Sequence, residues 1–279
     1  MILRLLAFTA ALFAFRPSPA LSASIVIPAS LDNTMYEHPT LNFSNGAGEY
    51  LFAGRTGDNA NFAVRRALIS FDVAAAVPAG ATIESVTLKL NLSRLSGVVP
   101  TVQIQLHAVL AAWGEGSSDA QAPGGGGFPS QPGDASWFYR NYNVDLWTNP
   151  GGDFSPVISA QTAVQGVGFY NFSGSQMVAD VQSWLANPAG NFGWVLLGDE
   201  VTDMAARRFD SRENANPAVR PTLTVTYTQV PEPALNGLVA VSGVALAAIS
   251  RRRKWRSRSG RTSHNGGVQK KLPKFVLTP

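Results

Sequence analysis

Alternating apolar and polar residues predict a series of short strands across the middle of the chain. The clearest run is SVTLKLNL at residues 85–92, where every second residue is Val or Leu. A period of two is typical of a strand that buries one face. Residues 102–110 repeat the pattern and place His107 among the outward-facing positions. We therefore predict two half-buried strands and a solvated surface position for His107.

Other runs of β-forming residues predict further strands. They lie at residues 24–27, 49–54, 65–73, 168–172, 193–197, 206–209 and 222–227. Turn signals such as Pro78-Ala79-Gly80 and Asn216-Pro217 separate some of them. Many short strands joined by irregular loops favour an all-β fold, and we predict a β-sandwich of the jelly-roll type.

One segment has helical periodicity instead. Its apolar residues share one face of a helix: Met177, Val178, Val181, Trp184 and Leu185. Ser173 and Gln176 have the spacing of a capping box, and Asn187-Pro188 gives a stop signal. We predict one short helix that packs against an end or edge of the sandwich.

Continuous apolar runs occur near both ends of the chain. Arg4 precedes an apolar run at 5–15, and small residues follow it, which is typical of a secretory signal peptide. We assign residues 1–23 to this leader. Near the other end, an uncharged apolar run is followed by three arginines, Arg251, Arg252 and Arg253. This order predicts a transmembrane helix at 234–250 with the arginines on the cytoplasmic side.

The C-terminal order resembles the PEP-CTERM sorting signal of Gram-negative bacteria. Residues 230–254 read VPEPALNGLVAVSGVALAAISRRRK, with the motif itself at Pro231, Glu232 and Pro233. In that family an exosortase, a membrane transpeptidase, recognises the motif. The resemblance implies an exported protein that is anchored in the inner membrane during processing and then reaches the cell surface or extracellular matrix. The basic tail at 255–279 has no apolar periodicity, which predicts disorder.

The net charge of the central domain differs in sign from that of the whole chain. The whole chain has 22 Lys+Arg against 18 Asp+Glu, but ten of those cations lie in residues 251–279 and two in the leader. Residues 24–230 then carry ten cations and 17 carboxylates, a formal net charge of −7. Such a domain is a poor partner for nucleic acid. Because the chain has no cysteine, the domain depends on its core, with structural calcium as a candidate aid.

The order of motifs over residues 24–229 resembles the DNRLRE (disaggregatase-related) domain. RRALISFDV, VPAGATIESVTLKLNL and LHAVLAAWGEG come first, DASWFYRNYNVDLW and GGDFS follow, and DVQSWL, NFGWVLLG and RRFDSRENANPAVRPTLTVTY complete the series. The resemblance implies a carbohydrate-binding-module-like jelly roll found on surface proteins, often beside polysaccharide-degrading modules. In its last motif we expect Arg212 and Glu213 to tie a loop to the final strand.

The segment 114–152 interrupts the strand pattern and is either functional or mobile, because it is far longer than an ordinary connection. Its second half combines aromatic rings, on which sugars stack, with groups that bind hydroxyls. We predict a glycan-binding site at Tyr139, Arg140, Asn141 and Tyr142. The alternative is that the two tyrosine rings belong to a minicore that fixes the loop. For Trp137 and Trp147, burial is the favoured interpretation.

Signals for catalysis and metal binding are sparse. His38 and His107 are the only histidines in residues 24–230, so a histidine-rich zinc site is disfavoured. Glycoside hydrolysis needs two carboxylates at a set separation, and no spacing selects a pair among the candidates Glu115, Asp119, Asp153, Asp199 and Glu200. Two loops have the oxygen-rich composition of calcium sites or of plain solvated acidic loops: Asp58-Asn59, and Asp199-Glu200 with Asp203.

We predict a non-catalytic exported protein that binds or organises exopolysaccharide. Its predicted partners are an exosortase-type membrane transpeptidase, extracellular polysaccharide and, transiently, the inner membrane, with no nucleic acid among them. Two alternatives remain open: a purely structural envelope or matrix protein without a defined ligand, and a polysaccharide-cleaving enzyme.

Overall fold

The main element of the structure is an antiparallel sheet that curls on itself. The computed structural model describes residues 21–95 and 101–229. Within them the strands are β1 (Leu21–Pro28), β2 (Leu31–Tyr36), β3 (Phe43–Ser44), β4 (Tyr50–Arg55), β5 (Val64–Ser70), β6 (Thr82–Leu95), β7 (Val102–Val109), β8 (Phe128–Pro129), β9 (Tyr139–Asn141), β10 (Asp145–Leu146), β11 (Phe154–Val164), β12 (Gly168–Phe172), β13 (Trp194–Leu197), β14 (Arg207–Asp210) and β15 (Thr222–Gln229). The helices are α1 (Val73–Ala76) and α2 (Ser175–Ala186).

Strand β4 joins the two halves of the sheet. One half has the order β1-β15-β6-β14-β4 and the other β4-β5-β13-β7-β11. The partner of β4 changes from β14 to β5 between Ala53 and Gly54. Gly54 has φ +108°, and a Cβ there would lie 3.1 Å from the Ala205 carbonyl oxygen, so only glycine fits this transition without strain.

Apolar residues from both halves meet in one core, which confirms the all-β prediction. β6 buries every second residue, as the alternation predicts, and its Val86 and Leu88 lie opposite Val225 and Leu223 of β15. The other half contributes buried residues of β5, β7 and β13 to the same cluster. The arrangement is sandwich-like, with a core enclosed by the curled sheet.

Apart from the two- and three-residue strands β3, β8, β9 and β10, two strands were not predicted, for different reasons. In β2 the polar residues Asp32, Asn33 and Thr34 are all buried, so alternation disappears. β11 forms an edge of the sheet, pairs with β7 through an irregular register and contains Pro156. Proline is tolerated at edges and bulges because its missing donor is not needed there.

The predicted helix is present as α2, but its predicted capping box is wrong. Gly174 precedes the helix without a side-chain cap. Gln176 instead donates from Nε2 to Oδ1 of Asp180, at 2.9 Å. Oδ2 of Asp180 accepts hydrogen bonds from Ser159 Oγ at 2.5 Å and Trp194 Nε1 at 2.9 Å. A buried carboxylate on the apolar face therefore fixes α2 to β11 and β13.

The predicted surface position of His107 is also wrong. The residue is buried, its Nδ1 lies 2.9 Å from the Ser155 carbonyl oxygen, and its ring lies 5.6 Å from that of Phe154. The outer face of this half of the sheet carries a second apolar cluster that includes Val109 and Val195. A strand with both faces covered cannot be distinguished by alternation from one with a solvated face.

The predicted leader, the helix at 234–250, the sorting signal and the basic tail lie outside the described residues, except that β1 begins at Leu21. Across residues 21–95 and 101–229, no helix is long and apolar enough to cross a membrane.

The docking of α2 gives a testable expectation. Asp180→Ala leaves the buried Trp194 N–H and Ser159 O–H without an acceptor, and should lower the free energy of unfolding by roughly 1–3 kcal/mol. Urea unfolding followed by tryptophan fluorescence measures the change. Ala179→Ser, on the exposed face of the same helix, is the control. If the two variants unfold alike, the carboxylate does not anchor the helix.

Candidate functional site

The buried polar residues of β2 hold the long loop in place. The Asn33 side chain is fully buried and makes four hydrogen bonds. Its Nδ2 donates to the carbonyl oxygens of Glu115 (2.9 Å) and Ala135 (3.2 Å). Its Oδ1 accepts from Ser44 Oγ (2.8 Å) and the Asn45 N–H (3.0 Å). One amide with all of its donors and acceptors satisfied thus joins the start and the middle of segment 114–152 to the sheet.

Segment 114–152 is an ordered structure with its own supports. Asp134 is buried, and its Oδ1 accepts hydrogen bonds from the N–H groups of Ser117 and Ser118. Burial raises the pKa of Asp134, although these hydrogen bonds oppose the rise. Trp137 and Trp147 are buried in the second apolar cluster, so the favoured interpretation for both is confirmed.

The four predicted ligand-binding residues come together on one small hairpin. Strands β9 and β10 form a two-stranded sheet of their own. The rings of Tyr139 and Tyr142 meet edge-on with centroids 5.4 Å apart. Arg140 lies 3.1 Å from Asp145 and donates to the Ala112 carbonyl oxygen. All four residues, Asn141 included, are half-buried, so the hairpin offers ring edges and partial faces.

A cleft of about 590 Å³ lies elsewhere on the surface. Its aromatic lining is Tyr36, Phe43, Phe62, Trp137 and Phe138, and its polar lining includes Glu37, His38, Arg55, Asn59, Asn61 and Arg65. The hairpin residues Tyr139, Arg140, Asn141 and Tyr142 do not line it. The cleft and the hairpin are linked through the chain, because Phe138 immediately precedes β9.

The turn that borders the cleft is strained. Asn61 and Phe62 both have positive φ, at 56° and 53°. This region is unusual for residues other than glycine and is often found at functional positions. The turn is held by hydrogen bonds from the Phe62 N–H to the Gly57 carbonyl oxygen and from Thr56 to Ala63. It leaves the Phe62 side chain 40% exposed at the cleft.

The cationic and imidazole groups of the cleft are fixed by their neighbours. Nδ1 of His38 accepts from the N–H groups of Thr40 and Leu41, so Nε2 carries the proton of the neutral ring. Arg55 donates from Nε to Asp203 at 2.8 Å. Arg65 lies over the Tyr36 ring at 4.8 Å, and burial lowers its pKa.

Few features of the sequence indicate this cleft. Its lining comes from segments 36–43, 55–65 and 126–138, which become neighbours only through the pairing of β2 with β5 and of β3 with β8. The one local sign is Phe62, an aromatic residue in a polar turn that follows Asp58-Asn59.

A second polar centre contains three carboxylates and one arginine. Asp32 lies in β2, Glu115 opens the long loop, and Glu213 follows β14; one oxygen of each lies within 4.8 Å of the others. Arg212 donates from Nε and Nη2 to both oxygens of Glu115 at 2.6 Å. Its Nε also lies 2.8 Å from Glu213. The Arg212 N–H donates to Asp32 Oδ2 at 2.8 Å.

These contacts correct the expected role of Arg212 and Glu213. The two residues connect their loop to β2 and to Glu115, and their ion pairs and side-chain hydrogen bonds do not involve the final strand β15. Burial raises the pKa of Asp32 well above its ordinary value, and the neighbouring charges of Glu213 and Glu115 raise it further. Burial also raises the pKa of Glu213.

The other acidic candidates have local partners. Asp199 accepts from the N–H groups of Val201 and Thr202, and Glu200 pairs with Arg66 at 2.8 Å. Asp203 pairs with Arg55, and Asp58 accepts from the Asn59 N–H. Asp119 and Asp153 accept from backbone N–H groups of nearby turns. Among the described residues, only Asp32, Glu115 and Glu213 form a carboxylate group of three.

No protein-family model matches the chain, and a search of curated proteins also finds no match. Both resemblances drawn from the sequence therefore stay predictions.

Asn33 provides a test of how the loop is held. Asn33→Ala removes four buried hydrogen bonds and should lower the free energy of unfolding by roughly 2–4 kcal/mol. It should also speed tryptic cleavage after Arg140. Urea unfolding and limited proteolysis measure these effects against Asn171→Ala, an exposed asparagine of β12. Equal cleavage rates in both variants would show that Asn33 does not order the loop.

Proposed function

We propose that this protein is a non-catalytic exopolysaccharide-binding protein of the cell surface or extracellular matrix, and that the cleft beside Phe62 is its glycan site. The observation that carries the proposal is the cleft's composition. Two arginines, two asparagines, a histidine and a glutamate lie beside five aromatic residues, of which Phe43, Phe62 and Phe138 are partly exposed and Tyr36 and Trp137 are buried. Pyranose C–H faces stack on aromatic rings, and planar or amide donors bind hydroxyl and carboxylate oxygens.

The state of Phe62 supports this role. Its ring is 40% exposed on a turn with two consecutive positive φ values. Strain of this kind persists where the surrounding structure over-determines it, often at ligand sites. A sugar ring stacked on Phe62 would cover apolar surface that water now contacts.

The hairpin of Tyr139, Arg140, Asn141 and Tyr142 is the second candidate surface. Its rings pack on each other, which agrees equally with a loop support. We propose it as an extension of the cleft site, because Phe138 belongs to the cleft lining and Tyr139 follows it in sequence.

The finer features of the protein belong to the same proposal. We propose that the curled sheet is a jelly roll of the carbohydrate-binding-module type and that the chain is exported. We also propose that a C-terminal helix at 234–250 anchors the chain until an exosortase acts at Pro231-Glu232-Pro233. The VPEP motif, the apolar run and the Arg251–Arg253 cluster support this order.

Affinity electrophoresis tests the glycan site. The full chain, purified in nonionic detergent, is run through gels that contain the host's exopolysaccharide. We expect retardation, and we expect Phe62→Ala to weaken binding roughly 3- to 10-fold because one stacking ring is lost. Phe169→Ala is the matched control, since Phe169 is a similarly exposed phenylalanine on β12 outside the cleft.

The pattern of variants separates the alternatives. Loss of binding in Tyr139→Ala and Tyr142→Ala, with Phe62→Ala unaffected, would move the site to the hairpin. Unchanged mobility of the folded protein with and without polysaccharide would contradict binding and favour a structural surface protein. Release of reducing ends, abolished by one carboxylate substitution, would show a polysaccharide-cleaving enzyme.

The sorting proposal has its own test in the host cell. Glu232→Ala should block C-terminal processing and leave the full-length chain in the inner-membrane fraction, because the recognised motif is lost. Immunoblots of fractionated cells measure the processed form. Asn236→Ala, in the same segment but outside the motif, is the control. Normal processing of Glu232→Ala would contradict exosortase recognition.

A further inference from the structure

The three carboxylates Asp32, Glu115 and Glu213 come from three distant parts of the chain. β2, the start of the long loop and the turn after β14 each supply one. One oxygen from each lies within 4.8 Å of the others. Arg212 is the cation paired with this group: its guanidinium donates to both oxygens of Glu115 and lies 2.8 Å from Glu213, and its backbone N–H donates to Asp32.

Two oxygens in this group are buried and accept no hydrogen bond from a backbone N–H or from a neutral or cationic side chain. They are Oδ1 of Asp32 and Oε2 of Glu213. Asp32 is fully buried, and its other oxygen is taken by the Arg212 N–H. A buried carboxylate oxygen without a partner is costly, because its hydration is lost without replacement. Two such oxygens in one group require a positive charge between them, which either a bound cation or a proton shared by Asp32 and Glu213 supplies.

The charge of the group fits a divalent cation. Three carboxylates and one guanidinium leave two net negative charges, which a divalent ion neutralises. All the side-chain donors are oxygens, which hard cations prefer, and neither histidine nor cysteine is present to select zinc.

The coordination requirements of the two ions favour calcium over magnesium. Ca²⁺–oxygen distances are about 2.3–2.6 Å, so oxygens on opposite sides of the ion lie about 4.6–5.2 Å apart. One oxygen from each of the three carboxylates lies within 4.8 Å of the others, so one ion of this size can contact all three. Mg²⁺ needs a regular octahedron with about 2.0–2.1 Å bonds, and a carboxylate fixed by a bidentate arginine, as Glu115 is, adapts poorly to it.

We propose that Asp32, Glu115 and Glu213 bind a structural Ca²⁺ that joins β2, the long loop and the turn after β14. Arg212 positions Glu115 and offsets part of the repulsion among the carboxylates while the ion is absent. The site does not depend on the glycan proposal, since none of its residues lines the cleft.

The first experiment is thermal unfolding of the full chain after treatment with EGTA, with and without added CaCl₂. A 100-fold excess of Ca²⁺ over its Kd should raise the Tm by about 5–10 °C. The same concentration of MgCl₂ should give a much smaller shift. Isothermal titration at 25 °C should show one Ca²⁺ per chain.

Variants of single carboxylates test where the ion binds. Asp32→Asn and Glu213→Gln should each abolish the Ca²⁺-dependent shift in Tm. Asp203→Asn should leave it unchanged, because Asp203 is an exposed acid paired with Arg55 outside the group. Tb³⁺ titration of the wild-type chain, displaced by Ca²⁺, gives a readout that does not need the variants to fold.

Three results would overturn the proposal. No Ca²⁺ binding by the wild-type chain would leave a proton shared by Asp32 and Glu213 as the explanation of the two free oxygens. Unchanged Ca²⁺ binding in a folded Asp32→Asn variant would place the ion elsewhere. Loss of the shift in Asp203→Asn would place it in the 199–203 loop. Glycan affinity takes no part in these measurements, so each proposal fails independently of the other.

Discussion

The loops packed outside the curled sheet depend on the four hydrogen bonds of the buried Asn33 amide. A buried amide is stabilising only when all of its donors and acceptors are satisfied, and here the partners are supplied by segments far along the chain. Thr34 acts similarly by accepting the Phe52 N–H. Through its buried polar residues, β2 therefore positions the loops that form both the cleft and the carboxylate group.

The regular part of the fold was predictable because it follows one rule. β6 and β7 alternate, and each buries the predicted face, although β7 also buries His107 of the opposite face. β2 was not predictable, since Asp-Asn-Thr in succession is typical of a turn when nothing shows what will cover it. The prediction for His107 was wrong for the same reason. A period of two identifies the two faces of a strand, but the loops that pack on the sheet determine whether both faces are buried.

The candidate sites were harder to foresee than the fold, because each combines residues that only the topology brings together. Glu115 and Glu213 were visible individually, as a possible acid and as part of a motif. Their relation depends on Asp32, which has no distinctive sequence context. The same applies to Phe62 and Phe138 in the cleft. By contrast, the burial of Trp137 and Trp147 could be expected from the resemblance to the DNRLRE domain, because both residues match its pattern.

The pairing of β1 with β15 has a consequence for the order in which the chain can fold. Leu21 lies opposite Gln229, and β15 separates β1 from β6 throughout this half of the sheet. During synthesis from the N-terminus, almost the entire domain must emerge before β1 can pair with β15, its one partner strand within residues 21–95 and 101–229. Such long-range closure makes folding slow and late. A chain with this topology cannot complete the β1-β15-β6 part of the sheet until β15 has emerged.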